Sequence, residues 1–218
     1  MAMDDHLAGG ARTARKRKAI LDAATTTFLK SGYLGSSVDE IARLADVSKQ
    51  TIYKQFVSKE ALFVAIITGL TTDAGDVVHN AIPELTPGED LAAYLEDYAF
   101  RQLSVVLTPR LMQLRRVVIG EVGRFPELGK ALYDGGPRRA MAAMAATIGR
   151  VAERGLLKID DLAAAASHFN WLVMSAPLNQ AMMLGDGGIP KPAVLRRHAA
   201  DAVRVFLAAY ASDDLRSR

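Results

Sequence analysis

Apolar side chains recur every three or four residues along most of the chain, a spacing that predicts helices rather than strands. The first such pattern covers about residues 14–31 and ends at Gly32, a residue suited to a left-handed helix terminus. Two short patterns follow at residues 37–45 and 49–55, and a longer one covers about residues 59–81. No segment shows the alternation of a half-buried strand, so the pattern predicts an all-α fold.

Helical patterns also fill the second part of the chain, at about residues 91–108, 110–122, 126–133, 137–154, 161–184 and 194–210. The Asp-Gly-Gly-Pro segment at 134–137 predicts a turn between two of these helices. Pro177 predicts a break or kink in the long helix over 161–184, because proline lacks the amide hydrogen that an internal helical residue donates.

The segment from Ser37 to Phe56, SVDEIARLADVSKQTIYKQF, predicts two short helices joined by a tight turn. Ser37 is a candidate N-cap, and Glu40 would complete a capping box with it. Ser48 is the candidate N-cap of the second helix, whose apolar face contains Ile52. The opposite face carries no acidic residue and consists of Lys49, Gln50, Thr51, Tyr53, Lys54 and Gln55.

This acid-free face suits the major groove of DNA. Lysine can donate to guanine, glutamine can form two hydrogen bonds with adenine, and hydroxyl groups can reach bases or phosphates. The alternative is a solvated polar face on an ordinary pair of helices. The capped first helix, the short turn and the absence of acids together favour DNA binding.

The distribution of charge agrees with that interpretation. The 218-residue chain has a net charge of +3, and residues 1–60 hold ten of its 27 basic and seven of its 24 acidic residues. The excess positive charge therefore lies entirely in the part that contains the two short helices, as expected of a surface that binds a polyanion. Residues 1–11 are expected to be disordered. A basic run follows, which consists of Arg12, Arg15, Lys16, Arg17 and Lys18. It is either an arm that contacts phosphates or the solvated start of a helix.

The stretch 18–67, KAILDAATTTFLKSGYLGSSVDEIARLADVSKQTIYKQFVSKEALFVAII, resembles the DNA-binding domain of the TetR family of transcriptional regulators. Leu114–Gly129, LRRVVIGEVGRFPELG, is similar to the efflux-regulator branch called AefR-like. The resemblance implies a disordered or basic arm at 1–13 and a three-helix helix-turn-helix domain at 14–60, followed by the helix of about 59–81 as a connector. A helical ligand-binding and dimerisation domain would follow at 82–218.

The resemblance implies a role for each matching residue. Lys49 and Gln50 would face base edges. Thr51 and Tyr53 would touch a phosphate or a base edge, and Lys59 would contact the DNA backbone. The full set of expected DNA-binding residues is Arg15, Lys16, Arg17, Ser37, Ser48, Lys49, Gln50, Thr51, Tyr53, Lys54, Gln55 and Lys59.

Family members of this kind are homodimers, and their two recognition helices would meet a palindromic operator in double-stranded DNA about 34–36 Å apart. We expect the dimer surface on the helices at 137–154 and 161–184, where Ala140, Ala143, Ala163 and Ala166 permit close approach. The first of these helices also carries a heptad-like seam of Met141, Met144, Ile148 and Val151. The alternative is that this seam packs inside its own subunit.

The resemblance also implies a largely apolar cavity for a small-molecule effector, whose binding would release the DNA through the helix of about 59–81. The candidate lining residues are Tyr94, Tyr98, Phe100, Met112, Arg115, Phe169, Trp171 and Met174. Core packing is the alternative for the aromatic residues and methionines. Arg115 and Arg116 face different directions on a helix, so one of them would point inward and pair with an anionic ligand or with Glu121; the alternative is that both are solvated.

An enzyme is the alternative from another class, although no metal-ligand spacing connects His6, His79, His168 and His198, and the chain contains no cysteine for thiol catalysis. A DNA-binding architectural protein without a ligand is a further alternative. No cofactor or metal is expected. The polar, basic start and the lack of an apolar run of ~20 residues predict a cytoplasmic protein without a membrane span.

Overall fold

The computed structural model describes residues 2–79 and 84–216, which form helices joined by short loops. Within these ranges the only β contact is an isolated antiparallel bridge between Leu157 and Ala211. The helices are α1 (Ala2–Gly35), α2 (Val38–Leu44), α3 (Lys49–Gln55), α4 (Lys59–His79), α5 (Leu91–Val106), α6 (Pro109–Glu121), α7 (Pro126–Tyr133), α8 (Arg139–Glu153), α9 (Leu162–Leu184), α10 (Pro192–Tyr210) and α11 (Asp213–Arg216). The predicted all-α fold is confirmed.

The described residues divide into two compact units. The first comprises the chain up to Leu70 together with Leu114–Leu132, and the second comprises Thr71–Gln113 and the chain from Tyr133 onward. These boundaries differ from the expected division at residues 60 and 82. The difference arises because Leu114–Leu132 contributes apolar residues to the first unit, where Leu114 and Leu128 are fully buried.

Aromatic rings form the centre of the first unit. The Phe63 ring lies 4.6 Å from the ring of Phe28 and 5.4 Å from that of Tyr33. The Phe125 ring meets Tyr33 edge-on at 4.7 Å between centroids. Such offset and edge-to-face arrangements are the favoured geometries of aromatic pairs. This cluster joins α1 and α4 to the Leu114–Leu132 segment and fixes the platform on which α2 and α3 sit.

Helix α1 differs from the prediction at its start and agrees with it at Gly32. The helix begins at Ala2 instead of about residue 14, and Met1 lies outside the described residues. Many residues before position 14 have good helix propensity and no proline interrupts them. Gly32 has a φ of 73° and a ψ of 174°, so the backbone is kinked there, close to the predicted helix end, in a positive-φ conformation that glycine adopts readily.

Helix α4 is, among the described residues, the one helix long and apolar enough to cross a membrane by length and composition alone. A third of its apolar window is buried. Leu62, Phe63 and Ile67 have no exposed surface and lie in the first unit. These three residues belong to the core of the first unit, and core helices also have such a composition.

The core of the second unit includes apolar residues from α5, α8, α9 and α10, among them Leu103, Ile148, Phe169 and Phe206. One polar pair lies inside this core, where Gln102 Nε2 donates to Asn170 Oδ1 at 2.9 Å. A buried amide pair is stable when each group finds such a partner.

The predicted break at Pro177 is wrong, because α9 runs continuously from Leu162 to Leu184. Proline leaves the carbonyl four residues earlier without its helical donor. That carbonyl belongs to Val173, and His198 Nε2 on α10 lies 2.9 Å from it. We infer that His198 replaces the missing amide donor, which keeps the buried carbonyl satisfied and the helix intact.

The predicted turn at 134–137 is also wrong, because Asp134–Arg138 continues the helix as a π-helical segment. A side chain at Gly135 would collide with Thr71 of α4. Glycine therefore permits a close approach between these two segments of the second unit, and the wider π turn accommodates it.

The heptad-like seam of α8 packs inside its own subunit, which was the alternative to a dimer surface. Met144, Ile148 and Val151 are all buried in the core of the second unit, and so is Ala166 on α9. Met141, the fourth residue of the seam, is half-buried, and Ala163 on α9 is exposed. The dimer surface expected on the helices at 137–154 and 161–184 stays a prediction.

Candidate nucleic-acid interface

Helices α2 and α3 begin at the predicted caps. Ser37 Oγ accepts a hydrogen bond from the Glu40 amide at 3.1 Å, and Ser48 Oγ accepts one from the Thr51 amide at 3.1 Å. Between the helices, Asp46 has a φ of 52°, a left-handed conformation that aspartate tolerates better than most residues. The sequence therefore builds a tight turn and two capped helices without a glycine.

Helix α3 has one buried face and one exposed face, as predicted. Ile52 and the following Phe56 are buried in the first unit. Lys49, Gln50 and Lys54 are exposed, and Tyr53 exposes 43% of its surface. The exposed side chains supply hydrogen-bond donors and acceptors together with positive charge, which is the composition needed to read base edges and grip phosphates.

Thr51 and Gln55 differ from the rest of the expected DNA-binding set because both are half-buried. The Thr51 hydroxyl lies 2.8 Å from Ser48 Oγ, so each helps to fix the start of α3. Gln55 Oε1 is buried without a hydrogen-bond partner. These side chains are therefore directed toward the protein more than toward an external ligand.

Lys49 forms an ion pair within the first unit. Its Nζ atom lies 2.9 Å from Asp39 Oδ2, which belongs to α2. The hydrogen bond and the negative charge of Asp39 raise the pKa of Lys49 above its ordinary value. Lys49 is thus charged, exposed and already partnered at the first position of α3.

Lys59 occupies a different place from the one expected of a phosphate-binding residue. Its Nζ atom donates to the Ser36 carbonyl oxygen at 2.6 Å and lies 4.7 Å from the centre of the Tyr33 ring. Burial lowers the pKa of Lys59, partly offset by the charge of Glu121. The ammonium group is directed into the first unit, so we assign it a structural role there.

The basic residues of α1 complete this surface. Arg15 and Lys16 are exposed. Arg17 is also exposed, and its guanidinium group lies 4.2 Å from the centre of the Phe56 ring. That cation–π contact ties α1 to the residue that ends α3.

Most of the expected pocket residues pack in the core of the second unit. Tyr94, Tyr98, Met112, Phe169 and Met174 are all buried there. Core packing, the alternative named for them, therefore describes these positions in this structure.

Three expected pocket residues lie elsewhere. Phe100 is half-buried beneath Arg196, whose guanidinium is 4.1 Å from the ring centre. Arg115 is a half-buried residue of the first unit, and burial lowers its pKa. Trp171 is 51% exposed, so it is a surface residue and not part of an internal pocket.

Two of the depressions in the surface of the second unit have linings that suit a ligand or a partner. One, of about 280 Å³, brings Tyr94 together with Thr147, Arg150 and Arg154. The other is an open apolar groove of about 580 Å³ between α9 and α10, lined by His168, Trp171, Leu172, Ser175, Val205, Phe206, Ala209 and Tyr210. We call the second the α9–α10 groove. Sequence reasoning missed it because the groove exists only once the side chains of α9 and α10 are packed side by side.

Tyr98 and His79 form a partly buried polar contact in the second unit. The Tyr98 hydroxyl lies 2.8 Å from His79 Nδ1. Burial and the positive charge of Arg139 lower the pKa of His79, partly offset by Asp76. Burial also raises the pKa of Tyr98. Both groups are thus neutral near pH 7, and one hydrogen bond joins the hydroxyl to the imidazole nitrogen.

Two family profiles match the chain over its two functional parts. The profile described as "Bacterial regulatory proteins, tetR family" matches residues 20–66. The profile described as "AefR-like transcriptional repressor, C-terminal domain" matches residues 93–212. With the capped helix pair, these matches define a helix-turn-helix regulator of transcription. The chain belongs to the TetR family of bacterial transcriptional regulators, which are not enzymes.

Similar proteins include both curated sequences and solved structures. The regulator YhgD of Bacillus subtilis is 32% identical over 112 residues, a match that covers 49% of this chain and 59% of YhgD. RutR of Escherichia coli K12 is 48% identical over 52 residues, 24% of each chain. The crystal structure of a TetR-family regulator from Mesorhizobium loti resembles this chain with a TM-score of 0.85 and 36% sequence identity. The match covers 92% of this chain and 98% of that regulator. The Flavonoid-responsive Regulator FrrA follows with 29% identity, 92% and 99% coverage and a TM-score of 0.78.

Proposed function

We propose that this protein is a homodimeric repressor that binds a palindromic operator through α3 and leaves it when a small molecule binds. The carrying observation is the capped, acid-free α3, whose exposed face combines Lys49, Gln50, Tyr53 and Lys54. The repressor assignment rests on the AefR-like repressor profile and on similarity to NicS of Pseudomonas putida, a transcriptional repressor that is 29% identical over 106 residues.

In this proposal each exposed residue has a distinct task on DNA. Lys49 donates to guanine, and Gln50 forms two hydrogen bonds with adenine. Tyr53 and Lys54 contact phosphates or base edges, and Arg15 adds a phosphate contact from α1. The contacts of one short helix are few, so a second copy on the other half-site supplies the remaining affinity.

We assign the dimer surface to the α9–α10 groove, with a second copy of this chain as its occupant. Its lining is mainly apolar, and it includes the exposed Trp171 and the 46%-exposed Val205. Aromatic residues in apolar patches are the commonest anchors of protein interfaces. The α9 side of this groove belongs to the helix at 161–184 on which the dimer surface was expected, whereas three of the four residues of the α8 seam are buried within the subunit.

The proposed effector is a small aromatic molecule bound by the second unit. Similarity to FrrA over 92% of this chain supports a ligand of the flavonoid type, because the name of that regulator describes it as flavonoid-responsive. Tyr94 offers such a ligand an aromatic contact, because it lines the depression of about 280 Å³ together with Thr147, Arg150 and Arg154. Release follows if the ligand binds the DNA-incompetent arrangement better than the competent one.

Selection of bound sequences from a random DNA pool tests the proposal. We expect a motif with two-fold symmetry and half-sites about one helical turn apart. Sequence-independent binding would contradict the proposal and favour an architectural protein. Addition of flavonoids to the purified complex then tests release, which is measured as the loss of fluorescence anisotropy of a labelled operator.

Two variants of α3 sharpen that test. Gln50→Ala should relax the base preference at one position in each half-site. The difference in binding free energy between the preferred base and the others should shrink there by about 1–3 kcal/mol. Tyr53→Ala is the matched control, since loss of a phosphate contact weakens binding to every sequence alike. If Gln50→Ala lowers affinity equally for all sequences, the assignment of Gln50 to base reading is wrong.

A further inference from the structure

The ion pair between Lys49 and Asp39 lies where the proposed function places DNA. Lys49 is the first residue of α3, and Asp39 is the second residue of α2. Their side chains are joined at 2.9 Å, yet 49% of the Lys49 side chain and 71% of the Asp39 side chain remain exposed. In helix-turn-helix proteins the start of the recognition helix contacts base edges. The pair is thus an exposed contact on the expected DNA-facing surface.

A carboxylate at this position opposes binding to a polyanion. Duplex DNA carries about one negative charge per 1.7 Å of its length. Asp39 repels that charge and also neutralises the lysine that the proposed function assigns to guanine. Helix stability alone does not explain its position, because Glu40 already supplies an acid to the first turn of α2.

We propose that Asp39 is a specificity-determining residue that withholds Lys49 from non-operator DNA. On non-operator DNA, Lys49 stays paired with Asp39 and neutralises no phosphate. At the operator, Lys49 keeps Asp39 as a partner and directs its remaining N–H donors to the O6 and N7 acceptors of guanine. Discrimination arises because the paired ammonium group can donate to a guanine edge, whereas it neutralises no phosphate of non-operator DNA. This inference rests on the proposed function.

A double-mutant cycle tests the proposal, with wild type, Asp39→Asn, Lys49→Met and the double variant. Each protein is titrated against the selected operator and against a non-operator duplex of equal length, over a range of salt concentrations. Asp39→Asn should raise affinity for non-operator DNA about five-fold at physiological salt and steepen the salt dependence by about one phosphate contact. Affinity for the operator should change by less than about two-fold. In the Lys49→Met background, the gain in non-operator affinity from Asp39→Asn should shrink to the slight effect of removing one negative charge from this turn.

Glu40→Gln is the matched control, because it removes a charge from the same turn of α2 without breaking the pair. It should change both affinities equally and slightly. An equal gain of Asp39→Asn on operator and non-operator DNA would overturn the proposal, as would a gain that persists undiminished in the Lys49→Met background. Either result would identify simple charge repulsion.

A measurement on the free protein checks that the pair exists in solution. The pKa of Lys49, followed by NMR of the methylated amine, should fall in Asp39→Asn because its acidic partner is lost. An unchanged pKa would also overturn the proposal. Failure of the proposed function looks different, since wild-type protein would then bind no DNA or yield no symmetric motif.

Discussion

The polar contacts within the first unit and those within the second unit join residues that are separated by very different distances along the sequence. In the first unit, the contacts that shape the helix pair join residues 3, 10 and 23 positions apart: Ser37 to Glu40, Asp39 to Lys49 and Ser36 to Lys59. In the second unit, Gln102 meets Asn170 across 68 positions and Arg139 meets Asp76 across 63. One short segment therefore encodes the surface of the first unit, whereas the second unit acquires its surfaces only by folding.

The exposed surfaces differ in the same way. Helix α3 presents charged and polar side chains, which suit a nucleic acid. The α9–α10 groove presents Trp171 and Val205, which suit a protein surface. Substitutions that change the charge or polarity of each surface test whether that surface binds the partner assigned to it.

The largest effect is expected from a charge placed in the α9–α10 groove. Trp171→Asp should convert the dimer to a monomer at micromolar concentration and weaken operator binding by more than about 30-fold, as loss of an interface anchor does. Sedimentation velocity and operator titration measure the two effects. Val77→Asp is the control, because Val77 is 54% exposed on α4 and does not line the groove. A dimeric Trp171→Asp protein would refute the assignment of this surface.

Two lysines of the first unit offer the next test, since one is directed inward and the other outward. Lys59→Ala should cost about 1.5–3 kcal/mol of unfolding free energy, because its charged hydrogen bond to Ser36 is lost. It should leave the salt dependence of DNA binding unchanged. Lys54→Ala should do the reverse and reduce the salt slope by about one phosphate contact at constant stability. Urea unfolding and salt titrations distinguish them, and the opposite pattern would return Lys59 to the DNA interface.

The range of contacts also explains how much the sequence could predict. Apolar periodicity and helix caps are local signals. The helices, the Ser37 and Ser48 caps and the two faces of α3 could therefore be predicted from the sequence. The inward direction of Lys59 was not, because the Ser36 carbonyl it binds carries no side-chain signature. The exposure of Trp171 was equally hidden, since aromatic residues at helical spacing usually pack inside.

A long-range contact that repairs a local defect gives the third test. His198→Leu should destabilise the protein by about 1–3 kcal/mol, because it leaves the buried Val173 carbonyl without a donor. Pro177→Ala should restore that donor from within α9, so the double variant should recover most of the loss. Urea unfolding of the three variants measures the coupling. Equal losses in His198→Leu and in the double variant would show that the imidazole stabilises the protein by another route.

The smallest effect is the pH dependence that the second unit should show through His79. Burial and Arg139 lower the pKa of folded His79, whereas the unfolded chain titrates near the ordinary 6.5. As pH falls through 6.5 the unfolded state takes up a proton that the folded state does not, so stability declines until the folded pKa is reached; above 6.5 the contribution is constant. The unfolding free energy, measured by urea titration, should therefore fall less between about pH 7.5 and pH 5.5 in His79→Gln than in wild type. Tyr98→Phe should retain most of the wild-type loss, because burial and Arg139 remain. Equal losses in wild type and in His79→Gln would show that folding does not lower the pKa of His79, as expected of a solvated histidine.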